Sequence, residues 1–403
     1  MAQENKIIID TYERAREAYL SRDLSQALYA DGEVIMADVL ITLHGEDHRM
    51  RRRLENRLYR RDVFLHYEND LFPGIIRETL DPHVAAGKAE LVSLSHQLMM
   101  NLAALTAGVD RPKGTPEETF WLYDYLMIFI EGATLVHYKG DKQAKEAEIR
   151  QALAAFEEEF LAPGITRRLG LIEEFKDGRI SEAELPQDVL TVLLRNEDRL
   201  NLTPQVILRE IAFYLLAGAH TSATAFTRTM HHIFQWLDQN PDQRDKIQSP
   251  AFIQRCVHET IRLQPSSPVS ERWAEKDIQL VAGPAIEKGS RVIIDLIQVN
   301  RDKSVFGDDA EAFNPERKLP SSVPEHGLSF GLGMHACIGK DLAAGILSRE
   351  SSDSESHLNG VVTLAVNSVL ADGCRPDPGD PPEMNPSTSR PYFGRYPVIF
   401  EKT

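Results

Sequence analysis

The stretch from Thr203-Pro204 to Asn240-Pro241 constrains this chain more than any other. A threonine hydroxyl can cap an unpaired helical N–H, and proline's fixed φ suits the first helical position. The apolar pattern then runs on until Pro241 stops it. The predicted helix holds about 36 residues and is roughly 54 Å long at 1.5 Å per residue. Apolar through its middle at Ile211–Ala219, it should cross an entire core. A chain of 403 residues can build one that large. Single cores stop growing near roughly 250–300 residues, which predicts a large domain with a smaller lobe, or two domains.

Helical spacing of apolar residues recurs at Tyr12–Leu28, Glu55–Asp70, Lys88–Ala107, Lys145–Phe160 and Pro186–Asp198. After Pro265 the texture changes. Asp277–Val281 and Ser290–Leu296 are β-branched or alternating, and Gly283-Pro284 and Lys288-Gly289 turns separate them. Val305–Pro324 reads as loop, Ser348–Ser356 is polar and Pro376–Pro391 is rich in proline. The fold class is mainly α with a minor β part.

Charge and cysteine content exclude several functions. Forty-five basic against sixty-one acidic residues leave a net charge of −16, which argues against a general nucleic-acid binder. Three cysteines, Cys256, Cys337 and Cys374, form neither a disulfide framework nor a CxxC zinc pair. The first twenty residues lack the pattern of a secretory signal, and Ile211–Ala219 falls far short of the roughly 20 residues that span a bilayer. These features predict a cytoplasmic protein with no membrane anchor.

The chemistry concentrates in Phe330-Gly-Leu-Gly-Met-His-Ala-Cys-Ile-Gly339. This glycine-rich loop delivers Cys337 to the start of a helix predicted over Ile338–Leu347, where N–H groups favour a thiolate. Gly333 and Gly339 would let the backbone approach a flat ligand, and Phe330 would shield the sulfur. A buried structural thiol is the usual fate of a lone cysteine. The full spacing F-x-x-G-x-H-x-C-x-G outweighs that reading.

The loop closely resembles the haem-binding signature of the cytochromes P450, and further motifs follow in the family's order. Glu259-Thr-Ile-Arg262 is similar to its E-x-x-R, Phe313–Arg317 to the segment whose arginine joins that pair, and Asn300-Arg301-Asp302 to the stretch between. His48-Arg-Met-Arg-Arg52 is similar to the H-x-x-x-R of its C helix, and Arg272 stands where the family sets another arginine against the haem. Ala217-Gly-Ala-His-Thr221 falls midway along the long helix, where the family carries A-G-x-D/E-T. The A-G-x-H-T-S form of Ala217–Ser222 is reminiscent of sterol 14α-demethylases.

The resemblance implies a single P450 domain over residues 1–403, with haem b (iron protoporphyrin IX) ligated by Cys337. His48 and Arg52, which share a helix face at i and i+4, would serve the propionates with Arg272 and His335. Phe330, Gly339 and Ala217 complete the implied cofactor contacts. Thr221, His220 and Gly218 are the implied catalytic residues, handling protons and leaving room for O2. The zincin-like fragment His258-Glu259 lacks its second histidine, since Arg262 stands there.

The implied reaction is insertion of one oxygen atom from O2 into an apolar small molecule: a terpenoid, steroid or aromatic compound, by hydroxylation or oxidative demethylation. Phe213, Leu216, Ala217, Val269 and part of Phe120–Ile130 are expected to line the substrate pocket. Electrons from NAD(P)H would arrive through a separate ferredoxin or flavodoxin with its reductase. The basic run Arg49, Arg51, Arg52, Arg53, Arg57, Arg60 and Arg61 would be the docking face. Two other classes stay open: a redox-neutral or peroxide-using haem-thiolate enzyme, and a non-catalytic haem or ligand-binding protein. With only 47 residues before His48, the N-terminal sheet segment is expected to be shortened.

Overall fold

The long helix is the axis of the molecule. In the computed structural model, which describes residues 5–347 and 357–401, it spans Pro204–Gln239, and the Thr203 hydroxyl accepts from the Val206 N–H. It packs most extensively against Leu91–Ala107, and also against Pro250–Leu263 and Val361–Ala371. Gly218 permits a close approach to Leu91–Ala107, because a Cβ there would lie 3.0 Å from Ala103 Cβ. Proline, a capping hydroxyl and a continuous apolar run therefore place this element as the sequence predicts.

Other boundaries moved. The helix expected over Tyr12–Leu28 ends at Leu20, and Leu24–Gln26 becomes a strand that buries Leu24 in the sheet. Glu55–Asp70 is broken: one helix covers Gly45–Glu55, a turn brings Leu58 inward, and a second covers Arg61–His66. Lys88–Glu90 is a strand whose last residue caps the helix Leu91–Ala107 by accepting from Val92 and Ser93 N–H groups. The helix Lys142–Phe156 runs through a π turn into Ala162–Lys176; Pro163, which has no N–H to give, sits at that junction. Pro186–Asp198 resolves into Val189–Leu194 and Glu197–Leu200. The polar segment Ser348–Ser356 lies outside the described residues.

The minor β part centres on a four-stranded sheet in the order Lys6–Ile9, Arg291–Asp295, Val269–Ala274, Leu24–Gln26. The first pair is parallel and the others antiparallel, with Ile9 opposite Ile294 and Leu24 opposite Ala274. The N-terminal contribution is short, four residues and three. Periodicity missed the strand Val269–Ala274 because buried Glu271 and Arg272 interrupt its apolar pattern. A smaller core around Ile9, Tyr12, Val292, Ile294, Phe306 and Leu328 lies beneath this sheet, and the main core surrounds the central helix.

Candidate active site

A buried ionic network anchors the cysteine loop. Arg262 Nε and Nη2 donate to the two Glu259 oxygens at 2.7 Å each, and Arg317 donates to Oε1 at 3.2–3.3 Å. Arg262 also donates to the carbonyls of Asn300 and Ala310, at 2.6 and 2.8 Å. The Asn300 side chain in turn accepts from Leu328 N–H and donates to Ser329 Oγ, which donates to Ile261 O. The three charges thus act through Asn300 on the chain entering the loop, a structural role. His258 is spent the same way, its Nε2 on Ala344 O.

Within the loop, Gly333 has φ of +68°, and a Cβ would strike the Tyr19 carbonyl at 2.6 Å. Glycine at 333 therefore serves a turn against Tyr19. Cys337 N–H donates to Phe330 O at 2.8 Å and closes the loop. The helix that follows is only Lys340–Ala344, shorter than Ile338–Leu347. The expected preference for a thiolate is reversed: burial pushes the Cys337 thiol up, and the Gly339 N–H and Arg52 only partly oppose it. A thiol held this way loses its proton on meeting a metal.

Cys337 lies on the wall of an internal cavity of about 330 Å³. Although protein surrounds it, its surface is open to that space, and so are those of Gly218 and Thr221 in the middle of an otherwise buried helix. The same wall holds His48, Arg52, Ala217, His220, Arg272, Phe330, His335 and Gly339. Every sequence-predicted site residue is therefore brought to one cavity. Of the expected pocket residues, Phe213, Leu216, Ala217 and Val269 line it; Phe120–Ile130 do not, and that helix contributes Ala133 at its end, followed by Thr134.

Two clusters of polar groups face the cavity. On the cysteine side, the rings of His48 and His335 lie 4.5 Å apart, and neither ring nitrogen of either has a partner. Burial is the main reason the His48 imidazole falls to about 4 and His335 to about 3, so both are neutral near pH 7. Arg52 donates to Ala336 O at 2.8 Å, and Arg272 to Gln26 Oε1 at 2.7 Å and its neighbour's carbonyl. Neither has a carboxylate partner among the described residues. Orphaned imidazoles beside uncompensated guanidiniums suit an anionic group, so the residues present fit a macrocycle carrying two carboxylates. No cluster of three metal-ligating side chains occurs among the described residues, and single-cysteine ligation suits a metal whose other positions a macrocycle fills.

On the central-helix side, the Thr221 hydroxyl donates to Ala217 O at 2.7 Å, the common back-bond of a helical threonine. Ser266 Oγ donates to Thr221 O at 2.8 Å. His220 is held by a residue the sequence reading missed. His96 Nδ1 lies 2.9 Å from Val92 O and His96 Nε2 lies 3.2 Å from His220 Nδ1. A carbonyl only accepts, so His96 Nδ1 carries the proton and its Nε2 accepts from His220 Nδ1–H. Burial holds both rings neutral, His220 most strongly, and leaves His220 Nε2 a bare acceptor with no partner. Tyr19, Tyr29, Tyr59 and Arg390 also line the cavity unforeseen. Each belongs to a segment with no motif of its own.

A helix-rich fold crossed by one long helix, with a lone loop cysteine facing that helix across a cavity, defines a class. Residues 168–347 match the family model described as Cytochrome P450. The chain is 30% identical over 176 residues to the bifunctional cytochrome P450/NADPH–P450 reductase 2 of Bacillus subtilis, covering 39% of this chain and 17% of that protein. It is 30% identical over 238 residues to indoleacetaldoxime dehydratase of Arabidopsis thaliana, covering 53% and 46%. The chain thus spans less than half the length of these curated relatives. The fold is that of solved P450 structures. P450BioI, crystallised with a hexadec-9Z-enoic acid-ligated acyl carrier protein, superimposes with a TM-score of 0.73 at 20% identity, covering 98% of this chain and 92% of that one. HmtT, involved in himastatin biosynthesis, gives 0.72 at 21%, covering 97% and 91%. The match places residues 168–347 in the cytochrome P450 family, which implies a haem cofactor. No helix among the described residues is long and apolar enough to cross a membrane.

Proposed function

We propose that this chain is a haem-thiolate monooxygenase that takes haem b and inserts one oxygen atom from O2 into an apolar small molecule. The observation that carries the reading is that Cys337 and the Ala217–Thr221 turn of the central helix face one enclosed cavity. Bound haem would supply O2 activation and oxygen transfer. Cys337 would offer its sulfur to the iron, and His48, Arg52, Arg272 and His335 would receive the propionates. Thr221 contributes a hydroxyl rotor: its proton now rests on Ala217 O, its lone pairs stay free to accept, and rotation can carry that proton into the cavity. Neutral His220, fixed as the Nδ1–H tautomer by His96, keeps Nε2 ready to take a proton and pass it on. Phe213, Leu216, Ala217 and Val269 keep water from the reacting bond.

Electrons would come through a separate ferredoxin or flavodoxin. Within the expected docking run, Arg51 is buried on Glu210 and Arg52 turns to the cavity, while Arg49 and Arg60 pair with Glu46 and Asp62. Exposed Arg53 and Arg57 keep their charge for an acidic partner. The test is reconstitution with a ferredoxin or flavodoxin system under labelled O2, against a panel of apolar substrates. The reading expects product carrying one labelled oxygen and dependence on NAD(P)H. A redox-neutral reaction is the second reading, favoured by the likeness to a protein named as a dehydratase. Turnover without any electron donor would establish it instead.

A further inference from the structure

Two buried arginines stand over the ring of Tyr392, Arg228 at 5.1 Å and Arg390 at 5.8 Å from its centre. Neither has a carboxylate partner among the described residues, and they differ in how they are satisfied. Arg228 is spent on main-chain carbonyls: Nη1 donates to Gln264 O and Pro265 O at 3.0 Å, and Nη2 to Pro391 O at 2.7 Å. It is a clamp that fixes the C-terminal loop beside the central helix. Arg390 is 92% buried yet makes a single guanidinium hydrogen bond among the described residues, Nη1 to the Tyr392 hydroxyl at 2.7 Å, which itself donates to Ser266 O at 2.6 Å. Its Nε is buried with no partner, and its Nη2 makes no hydrogen bond among the described residues. That leaves without a partner the Nε–Nη2 edge, the edge of a guanidinium that grips a carboxylate with two parallel bonds.

Among the described residues, nothing nearby supplies the missing negative charge. The titratable groups around Arg390 are His220, His137, Tyr29, Tyr392 and Arg228. Burial keeps both histidines neutral, His137 falling to about 4, and raises Tyr29. His220 Nε2, on the same cavity wall as Arg390, is a further buried atom without a partner. Apart from the cysteine side, much of the remaining wall is apolar, as with Met36, Phe72, Met99, Phe213, Leu216 and Val269. The cofactor does not call for Arg390, because His48, Arg52, Arg272 and His335 already offer four groups to two propionates. A buried charge left unpaired is costly, and an arriving anion relieves that cost.

We propose that Arg390 receives the carboxylate of the substrate, and that the substrate class is an aliphatic carboxylic acid whose chain lies along the apolar wall. This rests on the haem-enzyme reading above and sharpens its substrate. Arg390 fixes one end of the chain, and the apolar wall carries the rest past the Ala217–Thr221 turn.

The test compares dodecanoate with methyl dodecanoate on the haem-loaded protein, by calorimetric Kd and by the spin-state shift of the Soret band. The acid should bind at least tenfold tighter than the ester, as loss of a charge-assisted pair implies. Arg390→Gln should weaken the acid at least tenfold while leaving the ester within about threefold, and Arg390→Lys should keep part of the preference. Equal affinities for acid and ester in the unaltered protein would overturn the proposal, with no variant needed. Equal weakening of both by Arg390→Gln would overturn it too, as would loss of haem from Arg390→Gln, which would give the arginine to the cofactor. If the unaltered protein takes up no haem, the enzyme reading falls. The acid-to-ester ratio measured on the apoprotein still decides the role of Arg390.

Discussion

The two sides of the cavity are built differently. The cysteine side is one contiguous loop held mostly at its main chain: Gly333 turns against Tyr19 O, Cys337 N–H closes on Phe330 O, and the Asn300 side chain pins Leu328 and Ser329. The opposite side is assembled from side chains of remote segments: His96, His220, Arg228, Ser266, Arg390 and Tyr392. Backbone geometry tolerates few substitutions, whereas a side-chain assembly can be rewired one residue at a time. The first suits a fixed cofactor and the second a substrate. Changes on the cysteine side should cost folding or haem, and changes on the other should cost coupling and selectivity.

The largest expected effect tests the anchor of the cysteine side. Arg262→Ala leaves Glu259 buried without its main partner and frees the Asn300 and Ala310 carbonyls, a loss of about 3–5 kcal/mol. Urea denaturation should show it, together with failure to retain haem. A change below 1 kcal/mol would mean that the loop does not depend on this network.

Next comes the joint between the helix Gly45–Glu55 and the central helix. Glu210 accepts from Arg51 Nη1 at 2.7 Å and from Leu40 N–H, while Glu55 Oε2 accepts from the Tyr214 hydroxyl at 2.5 Å and its Oε1 has no partner. Burial, with Glu210 adding to it, holds the Glu55 carboxyl well above the usual range. Glu210, though burial lifts it toward about 7, is the member that keeps the charge, against Arg51. Glu210→Gln should therefore cost about 3 kcal/mol, because it strands buried Arg51, and Glu55→Gln under about 1 kcal/mol. Unfolded carboxyls release their protons near pH ~4.3. Above that pH the folded protein holds more protons than the unfolded chain, so stability falls as pH rises toward the folded-state values. Glu55→Gln should flatten that slope in denaturation measured between pH 5 and 8. Equal costs for the two variants would reverse the assignment of the proton.

Smaller effects sharpen the contrast. Arg52→Ala should release haem to a scavenger protein about tenfold faster, the scale of one charge-assisted bond, and leave stability within about 1 kcal/mol. Thr221→Ala should leave folding and haem content unchanged and raise NAD(P)H consumed per product several-fold. Unchanged coupling would reduce Thr221 to its back-bond on Ala217 O.

Legibility in the sequence follows the same division. The central helix was readable because Thr203, Pro204 and Pro241 punctuate it, and the cysteine loop because its glycines, histidine and thiol are contiguous. Tyr12–Leu28 was misread because helical spacing continues past Leu20, where Leu24 pairs into a sheet. The thiol's preference was misread because only burial, absent from a sequence, outweighs the Gly339 N–H. His96 and Arg390 left no trace, since His96 acts on a residue 124 positions away and Arg390 stands in a proline-rich stretch with no motif.

The most direct measurement of the central claim is the carbon monoxide difference spectrum of the dithionite-reduced, haem-loaded protein. The account predicts the long-wavelength Soret band of thiolate-ligated haem and its loss in Cys337→Ser. A band at the position of neutral-ligand haem proteins, or the same band in both proteins, would contradict it.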